Sequence, residues 1–290
     1  MPQIRPIRNR RLLAERLDTL VETFDLRTLS PDPLELVLRF DDPLDQETAG
    51  LIVAAFAYGR ARMIVTNIGR VLDAMGESPY VYLRDLFGRR EATRRFAGFS
   101  HRFHKTPELV AFLSILSTAI REHGTLGDLF RRCDRAGERD IGEALARFVD
   151  AMLEGERLTG ASVQRAMRYL LTSPRDGSAC KRMNLYLRWM VRREPPDLGL
   201  WTFVDPARLI VPLDTHVHRI STFLGLNRRK ASDWKTARLL TDQLASFDAA
   251  DPIRYDFAIC RLGILDRCSR KRSKANCDIC LLRDVCRFPC

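Results

Sequence analysis

Eight cysteines occur in this 290-residue chain, and four of them crowd its C-terminal end. Cys268, Cys277, Cys280 and Cys286 are spaced C-x8-C-x2-C-x5-C. A Cys-x-x-Cys pair sets two sulfurs on one tight turn, and the outer cysteines can close a four-thiolate cage. The N-terminus, MPQIRPIRNRRLLAERL, reads as a charged amphipathic helix without the apolar core of a signal peptide. A cytoplasmic, nucleoid-associated location is therefore expected, where thiols stay reduced and bind metal rather than form disulfides. Zinc and a [4Fe-4S] cluster both accept four thiolates, so spacing alone leaves the metal open. Cys260 and Cys290 compete for the fourth position; Cys268 is preferred because a terminal residue such as Cys290 frays.

A second group lies in SPRDGSACKRMNLYLRWMVRR, Ser173 to Arg193. A helix ends at Ser173–Pro174, the chain turns through Asp176 and Gly177, and a new helix begins near Ala179. A helix N-terminus of this kind offers backbone N–H groups to a phosphate. Lys181 and Arg182 in the first turn oppose the helix dipole, a placement that makes sense if an anion docks there. Gly177, Ser178 and Arg182 are thus candidate DNA contacts. A third segment, LIVPLDTHVHRISTFLG, puts Asp214 immediately before a helix, where its plain role is that of an N-cap. His216 and His218 fall on different faces of that helix, which argues against paired metal ligands.

PLDTHVHRISTFLGL resembles the segment around the catalytic aspartate of endonuclease III-type DNA glycosylases, the helix-hairpin-helix superfamily. Bifunctional members carry a Gly-x-Gly-x-Lys hairpin upstream, and a C-terminal C-x6-C-x2-C-x5-C loop holds a [4Fe-4S] cluster. Here Gly177-Ser-Ala-Cys-Lys181 keeps the glycine-to-lysine spacing, and Cys268, Cys277, Cys280 and Cys286 match the cluster ligands. The second hairpin glycine is Ala179, the first cysteine gap is longer, and the Lys181-to-Asp214 interval is elongated. That interval is similar to the one in archaeal 8-oxoguanine DNA glycosylases. The whole chain most resembles a bacterial family of this superfamily described as a domain of unknown function.

The resemblance implies a base excision repair enzyme acting on double-stranded DNA with a damaged base, an oxidised purine being one candidate. It implies a DNA N-glycosylase with AP-lyase activity, in which Lys181 attacks C1′ of the sugar and forms a Schiff base. Asp214 would stabilise the positive charge that grows on the sugar as the glycosidic bond stretches. The target nucleotide must leave the stack, and AFAYGRARM occupies the turn where relatives place a stack-filling residue, with Tyr58 and Arg60 as candidates. The basic loop around Arg270, Lys271 and Arg272 would grip phosphates. The alternative is a non-catalytic iron–sulfur protein that binds nucleic acid without excising a base.

These groups need a scaffold, and the chain reads as all-α. Helical periodicity recurs over Leu12–Phe24, Gln46–Ala57, Ala61–Met75, Pro107–Glu122, Ile141–Met152 and Ser162–Leu171. It continues over Lys181–Arg193, Thr215–Leu224, Trp234–Ser246 and Asp251–Leu265, and Asp45 is expected to cap the Gln46–Ala57 helix. Alternating strand patterns are nearly absent. The resemblance implies two lobes: residues 46–204 around the hairpin, and residues 1–45 with 205–290 around the cluster loop. No apolar run reaches membrane-spanning length, so no membrane partner is expected, and a monomer is. A net charge of +11, mostly arginine, favours a polyanionic partner because each neutralised phosphate releases counterions.

Overall fold

The computed structural model describes residues 9–155, 160–265, 268 and 273–288. Helices make most of it. The strands among the described residues are the two-residue pair Ser100–His101 and His104–Lys105, joined as an antiparallel hairpin. The all-α expectation holds, and no helix among the described residues is long and apolar enough to cross a membrane.

Two helices run through the middle. Pro43–Ala55 is buried at Asp45 and from Glu47 to Ala55, and Lys181–Val191 is buried from Arg182 to Val191. They pack on each other, and Gly50 lets them come close: a β-carbon there would stand 3.0 Å from Met190 Cε and 3.3 Å from Tyr186. Both helices are buried on nearly every side, and their polar side chains Glu47 and Arg188 are hydrogen-bonded inside the protein. Around this pair the buried apolar residues form one connected cluster running from Leu13 to Leu282. Leu13, Leu17 and Leu20 make a single stripe on Arg10–Thr23, which packs against Asp256–Ile264.

The cap of the first central helix differs from expectation. Asp42, not Asp45, accepts the Leu44 N–H at 2.7 Å, with Pro43 at the first helical position. Asp45 lies inside the first turn, buried, and accepts from Ser78 Oγ at 2.6 Å and Tyr80 N–H at 2.9 Å. Its carboxylate fastens a neighbouring segment instead of its own helix.

Glu47 plays a similar part deeper in the core. It is 5% exposed and accepts three N–H groups: Leu126 (2.9 Å), Gly127 (2.9 Å) and Trp201 Nε1 (2.7 Å). Two of these belong to the start of the Leu126–Cys133 helix, so one helix caps another through a carboxylate. Burial outweighs those donors and pushes the Glu47 carboxyl up from 4.5 to about 7. Between those two values the folded chain binds more protons than the unfolded one, so this group's contribution to stability is full below pH 4.5 and declines up to pH 7. Denaturant titrations of Glu47→Gln should show that decline flattened. They should also show a loss of about 1–3 kcal/mol, because an amide N–H must face a backbone donor.

Candidate active site

The segment preceding the lysine folds as the hairpin reading expects. Ala161–Leu170 ends, Pro174–Asp176 makes one 3-10 turn, and Gly177 takes the left-handed conformation (φ 72°). A β-carbon at Gly177 would meet nothing within 4 Å, so the glycine serves backbone conformation and not space. The Gly177 carbonyl accepts from Trp234 N–H at 3.1 Å, and Ser178 bridges to Asp233, tying the turn to the Trp234–Ala245 helix. Ser178 Oγ accepts from the Cys180 N–H at 3.1 Å. Cys180 is itself left-handed (φ 48°), and Lys181 opens the helix.

Asp214 caps the Thr215–Leu224 helix, as its position suggests. Its Oδ1 accepts from His216 N–H (2.8 Å) and Val217 N–H (2.7 Å). Its Oδ2 accepts from Cys260 Sγ at 3.4 Å. One oxygen is consumed by the cap while the other faces a thiol. Burial, and after it the Asp214 charge, hold that thiol well above its ordinary value, so it acts as a donor.

Lys181 and Asp214 line one cavity of about 740 Å³. Arg60, Arg62 and Met63 line it from the start of the Ala61–Met75 helix; Asp32 comes from a Pro31–Pro33 segment. Asp256, Cys260 and Arg261 come from the Asp256–Ile264 helix. Lys181 Nζ lies 3.4 Å from the Ala57 carbonyl. Arg188 and Arg261 are committed to the wall. Arg188 donates to Asp256 Oδ2 (2.6 Å) and to Asp197 Oδ1 (3.0 Å), and Arg261 donates to the carbonyls of Ser30 (2.9 Å) and Pro31 (3.2 Å). Lys181, Arg60 and Arg62 are the remaining cations of the lining, with both arginines exposed.

Burial raises the Asp256 carboxyl to about 6 against the pull of Arg188, and Asp256 Oδ1 is buried without a hydrogen-bond partner. Burial likewise raises Asp32. A cavity of this size, walled by apolar surface and a few fixed polar groups, is what a small-molecule or nucleoside-sized ligand requires.

Other expected contacts are placed differently. Arg182 is buried; its guanidinium donates to the carbonyls of Ala55 (3.0 Å) and Tyr169 and lies over the Tyr169 ring at 4.2 Å. It is an internal clamp and not a phosphate contact. Tyr58 is half-buried, its hydroxyl bonded to His104 Nδ1 and its ring stacked on Phe103 at 5.5 Å. Gly177 is exposed and Ser178 half-buried. Arg270, Lys271, Arg272 and Cys290 lie outside the described residues.

Sequence reasoning overlooked Asp32, Asp256 and Arg62, and considered Cys260 only as a rival metal ligand. A signal existed for two of them. Asp256 and Cys260 stand one helical turn apart in YDFAICRLGIL, a run apolar but for them, Tyr255 and Arg261, and so share one face of a buried helix.

The cysteine loop braces the aspartate helix. Arg219 Nη2 donates to the Cys268 carbonyl at 2.6 Å, and Arg287 N–H donates to the Phe223 carbonyl at 2.9 Å. Gly263 lies so close under His216 that a β-carbon there would fall 2.2 Å from Nδ1. Arg16 pairs with Asp284 at 2.6 Å, joining the first helix to the same loop.

Cys268, Cys277, Cys280 and Cys286 are all half-buried and not in disulfides. Burial, and then the charges of Cys280, Cys286 and Cys277, raise the Cys268 thiol, so the four sulfurs lie within one another's electrostatic reach. Four cysteines on one loop are the donor set that zinc or an iron–sulfur cluster takes. Among the described residues no group of three His, Cys, Asp or Glu side chains is placed to hold a metal ion.

In this helical chain a lysine and an aspartate distant in sequence line one cavity. A family model described as "Protein of unknown function (DUF2400)" matches residues 32–265, and the chain belongs to that family. Neither a curated protein nor a solved structure matches it.

Proposed function

We propose that this chain is a DNA repair glycosylase with associated AP-lyase activity, built on the two-lobed helix-hairpin-helix plan of endonuclease III-like proteins. The observation that carries the reading is the shared cavity. An amine and a carboxylate distant in sequence line the same space, and that space is large enough to admit an extruded nucleotide.

In this reading the flipped nucleotide places its C1′ between Lys181 and Asp214. As the bond from C1′ to the base stretches, positive charge grows on the sugar and the Asp214 carboxylate opposes it. The Lys181 amine, in its neutral form, supplies the electron pair for a new bond from Nζ to C1′. The base leaves with the pair of the broken bond and takes a proton from water. The Nζ proton passes to O4′ as the C1′–O4′ bond opens, which gives a Schiff base. Loss of a C2′ proton to water then expels the 3′-phosphate by breaking the C3′–O3′ bond, and water hydrolyses the imine to free Lys181. The double N–H cap on Asp214 Oδ1 fixes the carboxylate before substrate arrives, so no reorganisation is needed at the moment of reaction.

Cys268, Cys277, Cys280 and Cys286 would hold a [4Fe-4S] cluster, zinc being the alternative. Bound there, the group would cross-link the loop that braces the Asp214 helix. Protein purified without oxygen should be brown and carry about four irons per chain. Cys280→Ala should lose that iron and melt at a lower temperature. A colourless, zinc-loaded sample would refute the cluster assignment.

The activity itself is tested by borohydride trapping on a panel of duplexes carrying single damaged bases. A covalent protein–DNA adduct supports the enzyme. Tight DNA binding with neither adduct nor base release on any lesion supports the non-catalytic reading instead.

A further inference from the structure

The hairpin between Ser100 and Lys105 ends in an aromatic side chain that the core does not use. Phe103 is 56% exposed, yet it is held on three sides. Tyr58 lies parallel beneath it (5.5 Å, 17°), and Tyr169, 38% exposed, meets it edge-on at 4.9 Å. The His104 ring supports it at 4.7 Å. Below these rings sits the buried Arg182 guanidinium, 5.2 Å from Tyr58 and 4.2 Å from Tyr169. This layer is therefore bonded directly to the first turn of the Lys181 helix. Arg102, exposed and in the left-handed region (φ 57°), reaches back over Gly59, whose β-carbon would stand 3.4 Å from Arg102 Cδ. Gly59 and Arg60 line the cavity, so the aromatic layer adjoins the cavity wall.

A large ring left in water on a rigid backing, with exposed Arg102 next to it in the chain, has the chemistry of a base-stacking surface. The flanking cation matches a phosphate, and ring faces accept any nucleobase. We propose that Phe103, with Tyr169 and Arg102, forms a second nucleobase subsite outside the cavity, which stacks an unpaired base of the strand being acted on. The proposal rests on the nucleic-acid reading above but not on the chemistry of Lys181.

The test is equilibrium binding of undamaged DNA by fluorescence anisotropy, with a labelled single strand and a labelled fully paired duplex. Phe103→Ala should weaken single-strand binding about 5- to 100-fold and change duplex binding by less than about twofold. Phe103→Trp should retain the wild-type affinity, because it keeps a ring face. An alanine variant that binds single strands as tightly as wild type, or that loses both substrates equally, overturns the subsite. Wild-type protein that binds neither strand form overturns both this proposal and the nucleic-acid reading. Binding that depends on Phe103 without any borohydride adduct leaves the subsite standing and sinks only the enzyme. The side chain is exposed, so none of these variants is expected to unfold the chain.

Discussion

Lys181→Ala is expected to abolish the borohydride-trapped adduct and to slow strand cleavage on the order of 10³-fold or more, the scale of losing a nucleophile. Loss of folding would not explain that result. Lys181 is the first residue of its helix and only partly buried, and its amine makes a 3.4 Å approach to the Ala57 carbonyl. Alanine is the best helix former, and removing a cation from a helix N-terminus relieves a mild repulsion by the dipole. Thermal denaturation should accordingly place Lys181→Ala within about 1 kcal/mol of wild type. The comparison with Arg182→Ala sharpens the point. That neighbour is buried and clamps Ala55 and Tyr169, so its replacement is a packing and hydrogen-bond defect and should lower stability first. If Lys181→Ala still gives a wild-type yield of adduct, the Schiff base chemistry does not pass through this residue and the lyase proposal fails.

What the sequence could reveal was set by period and by burial. Ala61–Met75 is legible because Ile64, Ile68, Val71, Leu72 and Met75 repeat on one face, and Thr215–Leu224 because Asp214 and Gly225 punctuate its ends. The hairpin at Ser100–Lys105 is not legible: two-residue strands are too short to alternate, and nothing in SHRFHK marks Phe103 as a tip. The short helix Leu126–Cys133, with its strong amphipathic pattern, was passed over between two longer ones.

Arginines were the larger difficulty. Arg182, Arg188, Arg192 and Arg261 are all buried, held by carbonyls and by Asp197, Asp251 and Asp256. In one dimension they look like the solvated charges of a nucleic-acid surface. Part of the cationic surplus is thus internal structure, and charge alone overstates the binding face. Asp32 escaped for a related reason. It belongs to a proline-flanked turn far along the chain from Lys181 and Asp214, and only tertiary folding brings it to the Lys181 cavity.

Asp214→Asn separates two roles that share one side chain. Asparagine caps helices about as well as aspartate, and its carbonyl oxygen can keep the bonds from His216 and Val217. Helix stability should therefore change by about 1 kcal/mol or less. What disappears is the negative charge, along with the oxygen that accepts from Cys260. If the carboxylate stabilises a cationic sugar, base release should fall about 100-fold or more while DNA affinity holds. Strand cleavage at a preformed abasic site needs no glycosidic bond to break, so it should suffer less than base release from an intact lesion. A purely structural Asp214 predicts the opposite pattern: full activity in Asp214→Asn, and loss of both stability and activity in Asp214→Ala, where the cap itself is gone. Rates on the two substrates, measured beside the melting curves of both variants, decide between an aspartate that only starts a helix and one that also drives the chemistry.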